Sequence, residues 1–270
     1  MSDKQTRELF RFQEGDTPLL LSVPHAGTYL PGEIAAALLP EARELPDTDW
    51  YVDRLYDFVP ELGASLIVAN HSRYVIDLNR APDQQTLYPG PDNTELCPLS
   101  DFDRRPLYPP GGEPGGAEIA RRLDTYWRPY HRQIRRELER IKDRFGLALL
   151  FDVHSIRSKV PRFFDGRLPD LNLGTADGAS APDALARRLY ETAEAESAFS
   201  VVLNGRFKGG FITRHYGDPQ AHIHAVQLEL AQASYMDEIP PRYRPERARR
   251  LRPVLKRLLG AISEWAEKGP

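Results

Sequence analysis

The sequence of 270 residues contains a single cysteine, Cys97, and this scarcity excludes two kinds of structure. One cysteine cannot form an internal disulfide framework, and it cannot supply a metal site built from several thiolates. Such a low cysteine content is also typical of proteins in a reducing compartment. A metal site in this chain is therefore expected to use histidine and carboxylate ligands.

Long apolar runs and a strong net charge are also missing. No apolar run approaches the roughly 20 residues of a membrane span, and the N-terminal stretch MSDKQTRELFRFQEG lacks the apolar core of a signal peptide. The formal net charge is −3 at pH 7, so the composition gives no sign of a nucleic-acid partner. We therefore expect a cytoplasmic protein with no membrane and no nucleic-acid partner.

The signature motifs of several enzyme classes are absent too. The sequence has no G-x-S-x-G elbow, no P-loop and no G-x-G-x-x-G fingerprint. What is present is ordinary for a globular protein, with 41% hydrophobic and 28% charged residues. The length suits one large domain or two small ones, and no repeat or linker divides the chain, so we expect a single domain over residues 1–270.

Apolar runs and helical patterns alternate along the chain. The alternation predicts an α/β fold with a mostly parallel or mixed central sheet and helices on both faces. Buried strands are predicted at 18–23, 64–70, 147–155 and 224–232, with a further strand at 72–80. Helices are predicted at 33–39, 47–63, 117–146 (with a kink at Pro129), 181–196 and 244–268. Loops are predicted at 81–116, 156–180 and in the stretch RFKGGFITRHYGDP (206–219).

Two histidines follow or end predicted buried strands. His25 comes after LLLSV, and His154 ends LALLFDVHS. Asp152 lies two residues before His154 and so points to the same face, where it could accept a ring N–H from a neighbouring histidine. Each histidine alone is as well explained by a structural role, but two of them at strand ends of one α/β sheet suggest a shared site.

Acidic residues provide further candidates. Asp49 and Asp53 are four residues apart in a predicted helix and would share one face, beside a helix start where acids also act as caps. Glu229 stands in the apolar stretch HAVQLELAQ, where a buried carboxylate is costly unless it is paired or functional. It is either a general base or an outward-facing residue of an edge strand.

Basic and glycine-rich stretches supply candidates for anion binding. The stretch RYVIDLNR contains Arg73, Asn79 and Arg80, and arginine binds carboxylates with two parallel hydrogen bonds. The stretch FKGGFITRHYG contains Lys208, Gly210 and Thr213, whose backbone N–H groups could receive an anion. On the sequence alone, the second stretch is better explained by a plain flexible turn.

Six stretches in this order, SVPHAG, DTDWYVDRLYDF, SRYVIDLNR, DVHS, NGRFKGGFITRHYG and HAVQLELAQ, resemble the N-formylglutamate deformylase (N-formylglutamate amidohydrolase) family. The resemblance covers about residues 10 to 260. It implies hydrolysis of N-formyl-L-glutamate to L-glutamate and formate, at the end of a bacterial route of histidine degradation. It also implies an α/β sandwich similar to zinc carboxypeptidases and zinc-dependent cell-wall amidases.

The resemblance implies roles for the candidate residues. Zinc, or another divalent transition metal, would be held by His25, Asp49 and His154, with Asp53 as the alternative third ligand. Glu229 would be the general base, with Asp152 as the next candidate. The substrate would be a small dianionic N-acyl amino acid, with Arg80 and Arg73 as the first candidates for its carboxylates.

Other interpretations stay open at this point. The enzyme could act on another N-acyl amino acid or on a peptidoglycan amide, and a metal-binding protein without catalysis is also compatible with the residues. The sequence is compatible with a monomer or a small homo-oligomer.

Overall fold

A seven-stranded mixed sheet forms the centre of the computed structural model, which describes residues 8–83 and 93–268. The sheet strands are β1 Phe10–Gln13, β2 Leu19–Val23, β3 Ser65–Ala69, β4 Ala148–Ile156, β5 Leu171–Gly174, β6 Val201–Leu203 and β7 Ile223–Ala231. Their order is β1-β3-β2-β4-β7-β5-β6. Strands β3, β2, β4 and β7 are parallel, whereas β1 and β5 are antiparallel to their neighbours β3 and β7. The predicted mixed sheet is confirmed.

Helices cover both faces of this sheet. They are α1 Gly32–Ala37, α2 Val52–Leu55, α3 Gly116–Arg122, α4 Arg128–Phe145, α5 Asp183–Glu194, α6 Phe211–Tyr216 and α7 Pro245–Lys268. A π-helical segment, Leu123–Trp127, joins α3 to α4, directly before Pro129 at the predicted kink. A small hairpin of β8 Met236–Glu238 and β9 Pro241–Tyr243 precedes α7. Among the described residues no helix is long and apolar enough to span a membrane.

Side chains of the central strands pack alternately into two hydrophobic clusters. In β4, Leu149 and Phe151 join the cluster that includes α5 and α7, whereas Leu150 joins the cluster that includes α4. Because both faces are buried, the strand is a continuous apolar run rather than an alternating pattern. Asp152 and His154 follow Leu150 at every second residue, so their side chains lie on the same face of the sheet as Leu150, the face that α4 covers. They lie near the C-terminal end of the strand.

Residues 72–80 are not a strand, contrary to the prediction. Strand β3 ends at Ala69, and both of its edges are already occupied by β1 and β2. The chain turns at Ser72, whose carbonyl accepts a hydrogen bond from the N–H of Val75. The carbonyl of Val75 accepts a hydrogen bond of 2.9 Å from Nη1 of Arg122. A helix side chain thus replaces a neighbouring strand as hydrogen-bond partner.

Two predicted loops contain short regular elements. Strand β5 lies within 156–180, and helix α6 lies within the stretch RFKGGFITRHYGDP. Both are too short for a periodic pattern to emerge from their sequences. In the predicted loop 81–116, residues 84–92 lie outside the described residues.

Candidate active site

Three buried side chains meet at one edge of the sheet. They are His25, just after β2, His154 in β4, and Asp49 in the irregular segment before α2. One donor atom from each lies within 4.8 Å of the others. Strands β2 and β4 are parallel neighbours, so the chain leaves both at the same edge and the two histidines are brought together there.

The ring of His25 is oriented by Asp77. Its Nε2 lies 2.8 Å from Oδ1 of Asp77, a buried carboxylate that Arg73 also contacts at 2.7 Å. The Nδ1 atom is buried without a hydrogen-bond partner among the described residues and lies 3.9 Å from Oδ2 of Asp49. Burial lowers the pKa of His25. A neutral ring with its proton on Nε2 leaves a lone pair on Nδ1, which is what a metal ligand requires.

His154 has the same arrangement. Its Nε2 lies 3.0 Å from Oδ2 of Asp152, and its Nδ1 lies 3.3 Å from Oδ2 of Asp49. Burial alone would lower the pKa of His154, but the charge of Asp152 and hydrogen bonds to Asp152 and Asp49 raise it well above its ordinary value. The surrounding carboxylates therefore favour a positive charge at this position, and a metal ion at Nδ1 would meet the same preference.

Asp49 completes the group as a charged oxygen donor. Its Oδ2 accepts a hydrogen bond of 3.0 Å from the N–H of Ser155, and its Oδ1 lies 3.7 Å from Nη1 of Arg73. Burial raises the pKa of Asp49, but the hydrogen bond with His154 and the nearby positive groups lower it overall. Two Nδ1 atoms and one ionised carboxylate are a donor set suited to catalytic zinc, so the residues fit a metal ion.

The structure does not bring Asp53 to this group. Tyr51 has a φ of 61°, in the left-handed region, so the predicted helix over 47–63 is interrupted and α2 begins only at Val52. Asp49 and Asp53 therefore do not share a helix face. The carboxylate of Asp53 instead pairs with Arg11 at 2.8 Å, and its side chain is 36% exposed.

Glu229 lies beside His154 in the register between β7 and β4. Because β7 has β4 on one side and β5 on the other, the alternative of an edge strand was wrong. The side chain is buried and lines the same pocket as the three converging residues. Burial raises its pKa to about 8, and Oε2 accepts a hydrogen bond of 3.3 Å from Nε2 of Gln227. A carboxyl group that titrates near neutral pH can both accept and donate a proton.

Three arginines line this pocket, and they are held differently. Arg73 contacts Asp77 and stacks 4.9 Å from the ring centre of Phe102. Arg80 donates hydrogen bonds to the carbonyl of Asn79 and to both oxygens of Thr94. Arg206 donates to the carbonyl of Phe163 and packs near the rings of Phe163 and Phe207.

The glycine-containing stretch is only partly in the pocket. Nζ of Lys208 lies 3.0 Å from the carboxylate of Asp177, and the side chain is 39% exposed. Gly210 lines the pocket, but its N–H donates to Oε1 of Gln227 at 2.6 Å. Thr213 is buried, with Oγ1 at 3.5 Å from Asp152. Within the described residues, these contacts favour a structural role for the stretch over an anion cradle.

Asn79 and Asp77 show what the sequence could and could not indicate. Nδ2 of Asn79 lies 2.9 Å from Nε2 of His154, so this predicted residue is in the site. The orientation of His25 by Asp77 was missed, although a carboxylate between Ile76 and Leu78 is a signal of a paired, buried acid.

Arg206 was missed as well. It stands in the stretch NGRFKGGFITRHYG, but nothing in that stretch marks this arginine as a site residue, and only the tertiary fold brings it to the pocket.

Comparisons with known proteins show the family of this chain and agree with its fold. A profile of the N-formylglutamate amidohydrolase family matches residues 17–236. An N-formylglutamate deformylase of Pseudomonas aeruginosa is 54% identical over 97% of this chain and 98% of its own, and one of Pseudomonas putida is 52% identical over 96% and 97%. The crystal structure of N-formylglutamate amidohydrolase from Ralstonia eutropha JMP134 has a TM-score of 0.81 and 27% identity, covering 97% of this chain and 99% of that one. The chain therefore belongs to the N-formylglutamate amidohydrolase family.

Proposed function

We propose that this protein hydrolyses N-formyl-L-glutamate to L-glutamate and formate with the help of a bound divalent metal, zinc or another transition metal. The observation that carries the proposal is the convergence of His25, Asp49 and His154 in a pocket that also contains Glu229. The two Pseudomonas relatives, matched over nearly their whole length, support the choice of substrate.

The side chains divide the chemistry between them. Zinc held by the Nδ1 atoms of His25 and His154 and by the carboxylate of Asp49 would acidify a water molecule and polarise the formyl carbonyl. Glu229 accepts a proton from the attacking water, whose oxygen adds to the formyl carbon. The C–N bond then breaks, and Glu229 returns the proton to the departing nitrogen. The formic acid gives up its proton and the amine takes one, so the products are formate and the ammonium form of glutamate.

Arginines of the pocket would bind the two carboxylates of the substrate. Arg73 already contacts Asp77, so its charge mainly serves the carboxylates of the site. Arg80 and Arg206 also line the pocket, and a planar fork of N–H donors suits a carboxylate. We therefore assign one substrate carboxylate to each of them. Lys208 and Thr213 are weaker candidates, because of the contacts described above.

Four properties of the protein beyond the reaction itself are predicted from its sequence. A role in histidine degradation, a cytoplasmic location, a single catalytic domain, and a monomeric or small homo-oligomeric state all stay predictions.

Formate release tests the proposal directly. The purified protein should release formate from N-formylglutamate, and it should act much less on N-acetylglutamate. Treatment with a chelator should abolish the activity, and added zinc should restore it. Formate release that a chelator leaves unchanged would contradict the metal dependence, and preferential hydrolysis of N-acetylglutamate would point to a different deacylase.

A further inference from the structure

Two side chains of one helix hold the backbone on either side of Asn79. Nε2 of His131 lies 2.8 Å from the carbonyl oxygen of Leu78. Nε1 of Trp127 donates a hydrogen bond of 3.0 Å to the carbonyl oxygen of Arg80. Because this segment is buried and irregular, these two bonds replace the bonds that a strand would have made.

The residues between these two anchors both belong to the candidate site. The amide of Asn79 contacts Nε2 of His154, and its Oδ1 accepts a hydrogen bond of 2.7 Å from the N–H of Ile212. Arg80 lines the pocket. Fixing the carbonyls of Leu78 and Arg80 therefore fixes where these two side chains leave the backbone.

The two anchors form one rigid unit. The rings of Trp127 and His131 stack with centres 3.7 Å apart and an angle of 23° between their planes. The π-helical segment ends at Trp127, and α4 follows it directly. Trp127 and His131 are four residues apart, so both point to the same side of the helix.

A single protonation form of His131 suits this role. The carbonyl of Leu78 can only accept a hydrogen bond, so in a neutral ring Nε2 carries the proton. Nδ1 then carries no proton, and it lies 2.9 Å from the OH of Tyr216, which also donates to the backbone carbonyl of His131. Burial lowers the pKa of His131 to about 3, and the ring therefore stays neutral near neutral pH. The Nε2–H group then donates to the carbonyl of Leu78.

We propose that Trp127 and His131 are positioning residues that place Asn79 and Arg80 for substrate binding. The inference rests on the proposed function, because it assigns Arg80 to a substrate carboxylate. Neither Trp127 nor His131 is among the residues that line the pocket. Their effect must therefore pass through the segment that they hold.

A double-mutant cycle tests this dependence. Trp127→Phe keeps an aromatic ring for stacking but removes the N–H donor to Arg80. We expect the KM for N-formylglutamate to rise about threefold to tenfold, as for the loss of one hydrogen bond, with a smaller change in kcat. In an Arg80→Ala background, the same substitution should raise KM much less, because Trp127 holds the carbonyl of residue 80 and the arginine side chain that it positions is gone.

Matched variants distinguish a loss of positioning from a general loss of stability. Trp265→Phe is the control, because Trp265 is as buried as Trp127 (8% exposed) but packs in the other hydrophobic cluster; its KM should equal that of the wild type. The pair His131→Gln and His131→Met provides a second test if Trp127→Phe does not fold. Gln keeps an N–H donor and Met does not, so only Met should raise KM markedly.

The outcomes distinguish this inference from the function beneath it. A wild-type protein that releases no formate would overturn both. An active wild type in which Trp127→Phe and Arg80→Ala raise KM additively would overturn only the positioning role. Equal KM values for His131→Gln and His131→Met would do the same.

Discussion

His154 and His25 both direct Nδ1 to the site, and each has its Nε2 held by a supporting aspartate. The two supporting aspartates differ in how far they lie along the chain from the histidine that they hold. His154 is supported by Asp152, two residues earlier in the same strand, at 3.0 Å. His25 is supported at 2.8 Å by Asp77, which lies 52 residues further along. The first support follows from the two-residue period of a strand, whereas the second exists only in the folded chain.

The two supports also differ in their own surroundings. Asp152 stands in a nine-residue strand whose hydrogen bonds fix its position. Asp77 stands in the irregular segment, where Arg73 and the N–H of Asn79 contact its carboxylate. Regular structure therefore fixes the backbone of Asp152, although Thr213 also contacts its carboxylate, while Asp77 lies outside any strand and depends more on side-chain contacts.

The largest effect should come from the histidines themselves. His25→Ala and His154→Ala each remove one donor from the proposed metal site, and a catalytic zinc normally has only three protein ligands. We expect both variants to lose most of their metal and keep their fold, as judged by elemental analysis and circular dichroism. Full metal occupancy in both purified variants would refute the assignment, and loss in only one would break the equivalence of the two histidines.

The third ligand should show almost as large an effect. Asp49→Ala removes an ionised donor within the cluster, and we expect severe loss of zinc binding in a titration of the apoprotein. Asp53→Ala is the matched control, since that carboxylate pairs with Arg11 at the surface and should leave zinc affinity nearly unchanged. Weaker binding by Asp53→Ala than by Asp49→Ala would exchange the two roles.

Glu229, the proposed general base, also stands in a regular strand. Glu229→Gln keeps the shape of the side chain but removes the proton acceptor. We expect kcat to fall by roughly 10²–10⁴-fold, the usual share of general acid–base catalysis, with metal content unchanged. A variant with near-normal kcat would exclude Glu229 as the base and make Asp152 the leading candidate.

Substitution of the two supporting acids addresses the comparison directly. Asp152→Asn and Asp77→Asn each remove a charge that holds a ring N–H, and such changes typically cost about 10–100-fold in metal affinity. We expect the loss for Asp77→Asn to be at least as large, because Arg73 would also lose its partner. A normal zinc affinity for Asp77→Asn alone would show that the remote support is dispensable.

The regular parts of the fold were predictable because local patterns determine them. The apolar runs of β2, β3, β4 and β7 and the periodic pattern of α5 and α7 were predicted within a few residues. The segment 72–80 was misread because its apolar residues look like a strand, and only the positions of β1 and β2 show that no edge of β3 is open to it.

The site residues that could be predicted were likewise those that a local sequence pattern marks. His25, Asp49, His154 and Glu229 could be selected because each is a polar residue next to or within a buried strand or near a helix start. The left-handed Tyr51 that separates Asp53 from this group gave no signal, because nothing in DTDWYVD marks that position as a break. Arg206 could not be selected, since its place in the pocket depends on tertiary packing alone.

The smallest effect that we expect concerns Arg80, whose place depends on the irregular segment. Arg80→Lys keeps the positive charge but loses the planar fork, together with the Nε hydrogen bond to the carbonyl of Thr94. The KM for N-formylglutamate should rise by about tenfold, as for the loss of one charge-assisted hydrogen bond, with little change in kcat. Lys208→Ala serves as a control, because Lys208 pairs with Asp177 and is partly exposed, and its KM should stay close to that of the wild type. A larger rise in KM for Lys208→Ala than for Arg80→Lys would move the carboxylate contact to the glycine-containing stretch. The irregular segment would then support only the metal site.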